Sequence, residues 1–65
     1  MKKRAAAAIK SYELKAYANG NVFTRTYFGN DVDAAAARFA VKHNAAAVRV
    51  YAVNYYGNVV DEYMI

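Results

Sequence analysis

A chain of 65 residues has room for one small core, and one that buries only about 60% of its unfolded surface is marginally stable unless something helps it. It has no cysteine, which excludes a disulfide framework and thiolate metal sites, and its single histidine, His43, makes a histidine metal cluster or a Ser-His-Asp triad improbable. The formal charge is +4, but Lys2, Lys3 and Arg4 supply three of the nine basic residues, so the rest of the chain is close to neutral.

The elements follow in chain order. Residues 1–9 form a basic tip. Their apolar stretch, Ala5 to Ile9, stops at Lys10, too short for a secretory core, so the tip is read as mature protein. Either it is a solvated terminus, or Lys2, Lys3 and Arg4 form an arm that touches phosphates or an acidic partner. Residues 10–65 form a single domain.

Lys10 to Ala18 alternates apolar Tyr12, Leu14, Ala16 and Ala18 with Ser11, Glu13, Lys15 and Tyr17, which predicts a half-buried strand. Asn19-Gly20-Asn21 is a hairpin signal, because Asn and Gly both tolerate positive φ. Val22 to Phe28 is β-branched and aromatic, a second strand ended by Gly29 and Asn30. A helix opens at Asp31-Val32-Asp33, with Asn30 or Asp31 as cap and both aspartates suiting the positive end of the dipole. Val32, Ala36, Phe39, Ala40 and His43 recur at helical spacing and predict its buried stripe. Arg38 and Lys42 lie one turn apart near the end that favours cations, and Asn44 is a left-handed C-cap. Ala46 to Tyr55 predicts a third strand, Tyr56-Gly57-Asn58 a tight turn, and Val59 to Ile65 a fourth strand.

The expected fold is therefore α+β, β-β-α-β-β, a four-stranded antiparallel sheet with one helix on one face. Tyr12, Leu14, Ala16 and Ala18 of the first strand face that helix, as do Val48, Val50 and Ala52 of the third. The phase of the second strand depends on its turn. A three-residue loop turns Val22, Thr24, Thr26 and Phe28 inward. A two-residue loop turns Phe23, Arg25 and Tyr27 inward and buries Arg25 without a partner, which is costly. The first register is preferred.

The uncovered face then carries Lys15, Tyr17, Phe23, Arg25, Tyr27, Arg49, Tyr51 and Tyr55, together with Val53. A contiguous aromatic and basic patch on so small a protein marks an interface, and tyrosine and arginine are enriched where partners bind most strongly. The plainer reading is ordinary cross-strand pairing, with each tyrosine hydroxyl left wet.

Catalytic chemistry is not in view. Gly20, Gly29 and Gly57 fit turns. Asp31 and Asp33 are explained by the helix start, and Asp61 and Glu62 point to opposite faces of a strand. His43 has no nucleophile or orienting group beside it. No catalytic residue, metal site or cofactor is expected.

The strand pair, the alanine-rich helix from Asp31 to Ala40, the segment Ala47-Val48-Arg49-Val50-Tyr51 and the final hairpin resemble small phage-encoded inhibitors. These include proteins that block bacterial RNA polymerase and some type I anti-CRISPR proteins. The resemblance lies in pattern and size, and no functional residue is carried over from it. It implies a non-enzymatic protein that blocks a host nucleic-acid-handling complex by occupying a site.

Three binding modes are expected in order. The first is an inhibitor of a host protein or nucleoprotein complex in the cytoplasm, with no role for a membrane, since no apolar run approaches the roughly 20 residues of a span. The second is a single-stranded nucleic-acid-binding protein that stacks bases on the sheet's aromatic rings. The third is a homodimer whose sheets pack face to face.

Overall fold

The computed structural model describes residues 8–65. Lys2, Lys3 and Arg4 lie outside the described residues. The elements are β1 (Ile9–Ala18), β2 (Asn21–Tyr27), α1 (Val32–His43), β3 (Val48–Asn54) and β4 (Val59–Met64). The strands form one antiparallel sheet in the order β2-β1-β3-β4. This is the expected ββαββ architecture. β1 and β3 lie in the middle, and β2 and β4 are the two edges. The helix leaves edge strand β2 and delivers the chain to β3, beside β1.

The helix starts and stops where its local chemistry dictates. Asp31 is the N-cap, and its side chain accepts a hydrogen bond from the Ala34 N–H at 3.4 Å. Asn44 is left-handed at φ 54°, and its N–H donates to the Val41 carbonyl while the Ala45 N–H donates to that of Ala40. That paired bonding satisfies carbonyls the helix leaves open. Leaving this cap takes up Ala45 to Ala47, so β3 begins at Val48 rather than at Ala46.

The core lies between the helix and the two central strands. Leu14, Ala16, Val32, Ala36, Phe39, Val48 and Val50 form one buried cluster. Leu14, Ala16, Ala36 and Val50 are wholly excluded from solvent. Alanine at 36 brings the helix backbone close to the sheet, and Phe39 fills the space one turn later. The expected inward residues of β1 and β3 hold.

The expected phase of β2 does not hold. Ala18 pairs with Asn21, Ala16 with Phe23, Leu14 with Arg25 and Tyr12 with Tyr27. The hairpin therefore has the two-residue loop Asn19-Gly20, with φ of 54° and 78°. Both angles are positive, as a type I′ turn requires, and that turn matches the twist of the flanking strands. A one-residue change of register turns every side chain over. Phe23, Arg25 and Tyr27 thus lie on the helix side, and Val22, Thr24 and Thr26 on the other.

The desolvation argument against this register fails for a geometric reason. The helix packs mainly over β1 and β3, so Phe23 and Tyr27 at the β2 edge are only half-buried and the longer Arg25 side chain between them reaches water. Arg25 is exposed, and no charged residue is buried among the described residues. Phe28 lies past the end of β2 and is 66% exposed.

The turn makes a first test. A Cβ at Gly20 would meet nothing within 4 Å, so only the backbone angle of 78° resists a side chain. Gly20→Val is expected to cost more than about 1 kcal/mol through that angle. An unchanged urea midpoint would contradict the turn.

Candidate functional site

The structure separates the residues that the sequence grouped. Lys15, Tyr17, Arg49 and Tyr51 share the open face of the sheet. Phe23, Arg25 and Tyr27 lie on the helix side, and Tyr55 falls past the end of β3, in the β3–β4 turn. That turn is organised by Asn54, whose side-chain oxygen accepts from the backbone N–H of both Tyr56 and Asn58 at 2.9 Å. Two tyrosines of the expected four remain on the open face, and the phenylalanine is gone from it.

The charges of the open face are largely answered from within. Arg49 Nη1 lies 2.7 Å from Glu62 Oε2, on the neighbouring strand, and that hydrogen bond holds the guanidinium above its ordinary pKa. Glu13 accepts a hydrogen bond from the Thr26 hydroxyl at 2.9 Å. The Lys15 ammonium sits 5.5 Å from the centre of the Tyr51 ring, within reach of a cation–π contact. Lys15 and Arg49 thus stand among Glu13 and Glu62, and the face is a polar mosaic rather than a basic aromatic platform.

A basic groove lies on the opposite side, between the helix and β2. Arg25, Tyr27, Ala35, Arg38, Phe39 and Lys42 line a groove of about 280 Å³. Arg38 and Lys42 are one helical turn apart, so they share the helix flank that overlooks β2. Arg25 rises from the edge strand to meet them. Among the described residues the one ion pair is Arg49–Glu62; Arg25, Arg38 and Lys42 have no carboxylate partner. Three cations in one groove create a positive potential there that long-range attraction can use.

Aromatic packing joins the helix to β2 beside the groove. The Phe23 ring stacks on His43 with centroids 4.1 Å apart and planes 14° from parallel. The same imidazole meets the Phe39 ring edge-on at 4.8 Å. His43 therefore joins the helix end to β2 as a packing residue. Tyr27 leans toward Tyr12 with centroids 6.4 Å apart, and its hydroxyl accepts from the Asp31 N–H at 3.2 Å. That bond ties β2 to the first turn of the helix.

The β4 side carries the opposite charge. Asp61 pairs with Ala52 and so lies on the helix side, as does Tyr63 opposite Val50. Burial, then the nearby charge of Asp33, holds the Tyr63 hydroxyl above its ordinary pKa of 10, with smaller contributions from Tyr12 and Asp61. A phenol whose pKa is raised by folding adds stability that is complete below the unfolded value and lost as pH rises through the folded one. The urea midpoint is therefore expected to fall above pH ~10, and to fall less in Tyr63→Phe. Equal alkaline loss in both proteins would contradict the placement of Tyr63.

The groove can bind an anion; it holds no nucleophile paired with a base. Among the described residues no group of three or more His, Cys, Asp or Glu side chains could hold a metal ion. No helix among them is long and apolar enough to cross a membrane. Of the groove's three cations the sequence singled out Arg25 and assigned it to the open face. Arg38 and Lys42 carried a visible signal, their four-residue spacing on the flank of the buried stripe, but dipole compensation alone accounted for it.

Comparison with family models, with curated proteins and with solved structures found no match.

Proposed function

We propose that this chain is a non-enzymatic binding protein that occupies an anionic site on a protein or nucleoprotein partner, in the manner of the small phage-encoded inhibitors it resembles. One observation carries the reading: Arg25, Arg38 and Lys42 line a single groove and, among the described residues, none of them is paired with a carboxylate. The sheet and the helix bring the three cations to one groove, and their summed field speeds the encounter with an anion. Occupying a partner's site requires no catalytic group on this chain.

The alternative, single-stranded nucleic acid stacked on the open sheet face, has less support. It needs several free rings beside free cations. Tyr17 and Tyr51 are the tyrosines on that face, Tyr51 lies beside Lys15, and Arg49 is paired with Glu62.

Fluorescence anisotropy with labelled polyglutamate and labelled oligothymidylate tests the assignment. The charge reversal R38E/K42E is expected to lower affinity for polyglutamate about tenfold or more, by analogy with charge pairs at interfaces, with the melting midpoint little changed. Tyr51→Ala is expected to leave that affinity unaltered. Loss of oligothymidylate binding in Tyr51→Ala, with R38E/K42E unaffected on both probes, would move the site to the open face.

A further inference from the structure

The groove has a neighbour that narrows the chemistry of what it holds. β2 is an edge strand of seven residues that pairs with β1 without a register break. The other edge, β4, is broken by a bulge opposite Ala52 and Val53 and carries the adjacent carboxylates Asp61 and Glu62. Bulges and charges are the usual protection of an edge against further pairing. β2 has no bulge; its one charge is Arg25, and it carries β-branched residues at three of its positions, Val22, Thr24 and Thr26.

The register says which backbone groups are free. In a hairpin with a two-residue loop the closing pair is hydrogen-bonded, so Asn21, Phe23, Arg25 and Tyr27 exchange bonds with β1. The N–H and C=O of Val22, Thr24 and Thr26 then point away from the sheet. Any strand laid along them places every second side chain on the helix side, next to Phe23, Arg25 and Tyr27. Those positions open on Arg25, Arg38 and Lys42.

We propose that the edge of β2 takes up an extended acidic segment of a partner protein as a fifth strand, its alternate carboxylates lying in the groove against Arg25, Arg38 and Lys42. The inference rests on the groove being the anion-binding surface. Backbone bonds along the edge supply affinity, and the groove selects a segment with an acidic residue at every second position. β-branched residues suit the intervening positions, which lie beside Val22, Thr24 and Thr26 on the open face.

Two other occupants fit less well. Single-stranded nucleic acid would find the charges but, of the aromatic residues in and beside the groove, only the half-buried Tyr27 lines it with a ring not already stacked. One face of Phe23 is taken by His43, Phe39 is buried, and the tip of Tyr27 is held by the Asp31 N–H. A second copy pairing β2 to β2 would bring one Arg25 toward the other, and pairing β2 to β4 would meet the bulge.

The test is amide hydrogen exchange on the ¹⁵N-labelled protein. The probe is a blocked peptide of alternating glutamate and valine. A second peptide is N-methylated at alternate residues so that its charge is kept but one backbone edge cannot pair. A third has lysine in place of glutamate, and oligothymidylate is the last probe. The expected result is that the first peptide slows exchange of Val22, Thr24 and Thr26 by about tenfold or more, as newly formed ladder bonds do. The N-methylated and lysine peptides are expected to give no protection, and R38E/K42E is expected to lose it.

The contrary outcomes are separable. If both glutamate peptides bind equally and the three amides stay unprotected, strand addition is wrong while the groove remains an anion site. If oligothymidylate binds more tightly than the acidic peptide in an Arg38- and Lys42-dependent way, the groove stands and the peptide assignment falls. If the three amides become protected with rising protein concentration and no peptide, a second copy owns the edge and the proposal falls. If none of the probes binds, strand addition and the anion-binding groove both fall.

Discussion

Phe39→Ala is expected to leave most of the protein unfolded at room temperature. Phe39 is 5% exposed and belongs to the buried core cluster that includes Leu14, Val48 and Val50. Truncating a buried phenylalanine costs roughly 3–5 kcal/mol, through lost transfer energy and the cavity left behind. A small domain has about that much stability in total. The loss should spread beyond the cavity, because Phe39 supports the edge of His43 and His43 stacks on Phe23 of the edge strand. Removing one ring thus loosens the attachment of the helix to β2. Phe39→Leu keeps most of the volume and is expected to fold with a lowered urea midpoint. A cooperative, native-like melt for Phe39→Ala would mean that the helix presents another face to the sheet.

Gly29→Ala is expected to have the next largest effect. Gly29 has φ of 152°, a conformation that side-chain-bearing residues rarely adopt. A Cβ there would also lie 2.6 Å from the Tyr27 hydroxyl and 2.8 Å from the adjacent ring carbon. The Tyr27 tip cannot move away without loss, since it accepts the Asp31 N–H at the helix start and packs toward Tyr12. Backbone strain of this kind costs roughly 1–3 kcal/mol, and displacing Tyr27 adds to it. In a Tyr27→Ala background the steric part vanishes and only the backbone part remains. A double-mutant cycle by urea denaturation should therefore return a clear coupling between positions 27 and 29. Additive costs would show that the two residues do not touch.

Much of the fold was legible in the sequence because local and global signals agreed. Alternation in Lys10 to Ala18, Asn-Gly at the first turn, aspartate at the helix start and Asn44 at its end each pointed to the element that formed. The inward residues of β1 and β3 followed from the same alternation. Strand β2 was different because both of its faces read as plausible. Val22, Thr24 and Thr26 are β-branched, and Phe23 and Tyr27 are aromatic, so pattern alone did not choose a phase. The cost of burying an unpaired Arg25 favours the three-residue loop, but that cost arises only where the helix covers the strand. A single 12-residue helix covers the two central strands, and an edge arginine on the same side remains solvated. Turn chemistry then decides, and Asn-Gly favours two residues over three.

The candidate site was lost with that phase. Once Arg25 turns to the helix side, it meets Arg38 and Lys42, and the basic surface passes from the sheet face to the groove. Tyr17 and Tyr51 stay behind among charges that are already answered. The functional reading therefore hangs on one register.

Nuclear Overhauser contacts between Hα protons across β1 and β2 test that register directly. Facing residues of pairs without mutual hydrogen bonds bring their Cα atoms to about 4.5 Å, close enough for such contacts. The two-residue turn predicts them between Tyr17 and Val22, Lys15 and Thr24, and Glu13 and Thr26, accompanied by contacts between the rings of Phe23 and His43. A one-residue slip would instead pair Tyr17 with Phe23 and Lys15 with Arg25. Contacts between those residues, with none from Phe23 to His43, would put Arg25 on the open face and leave the groove without its third cation.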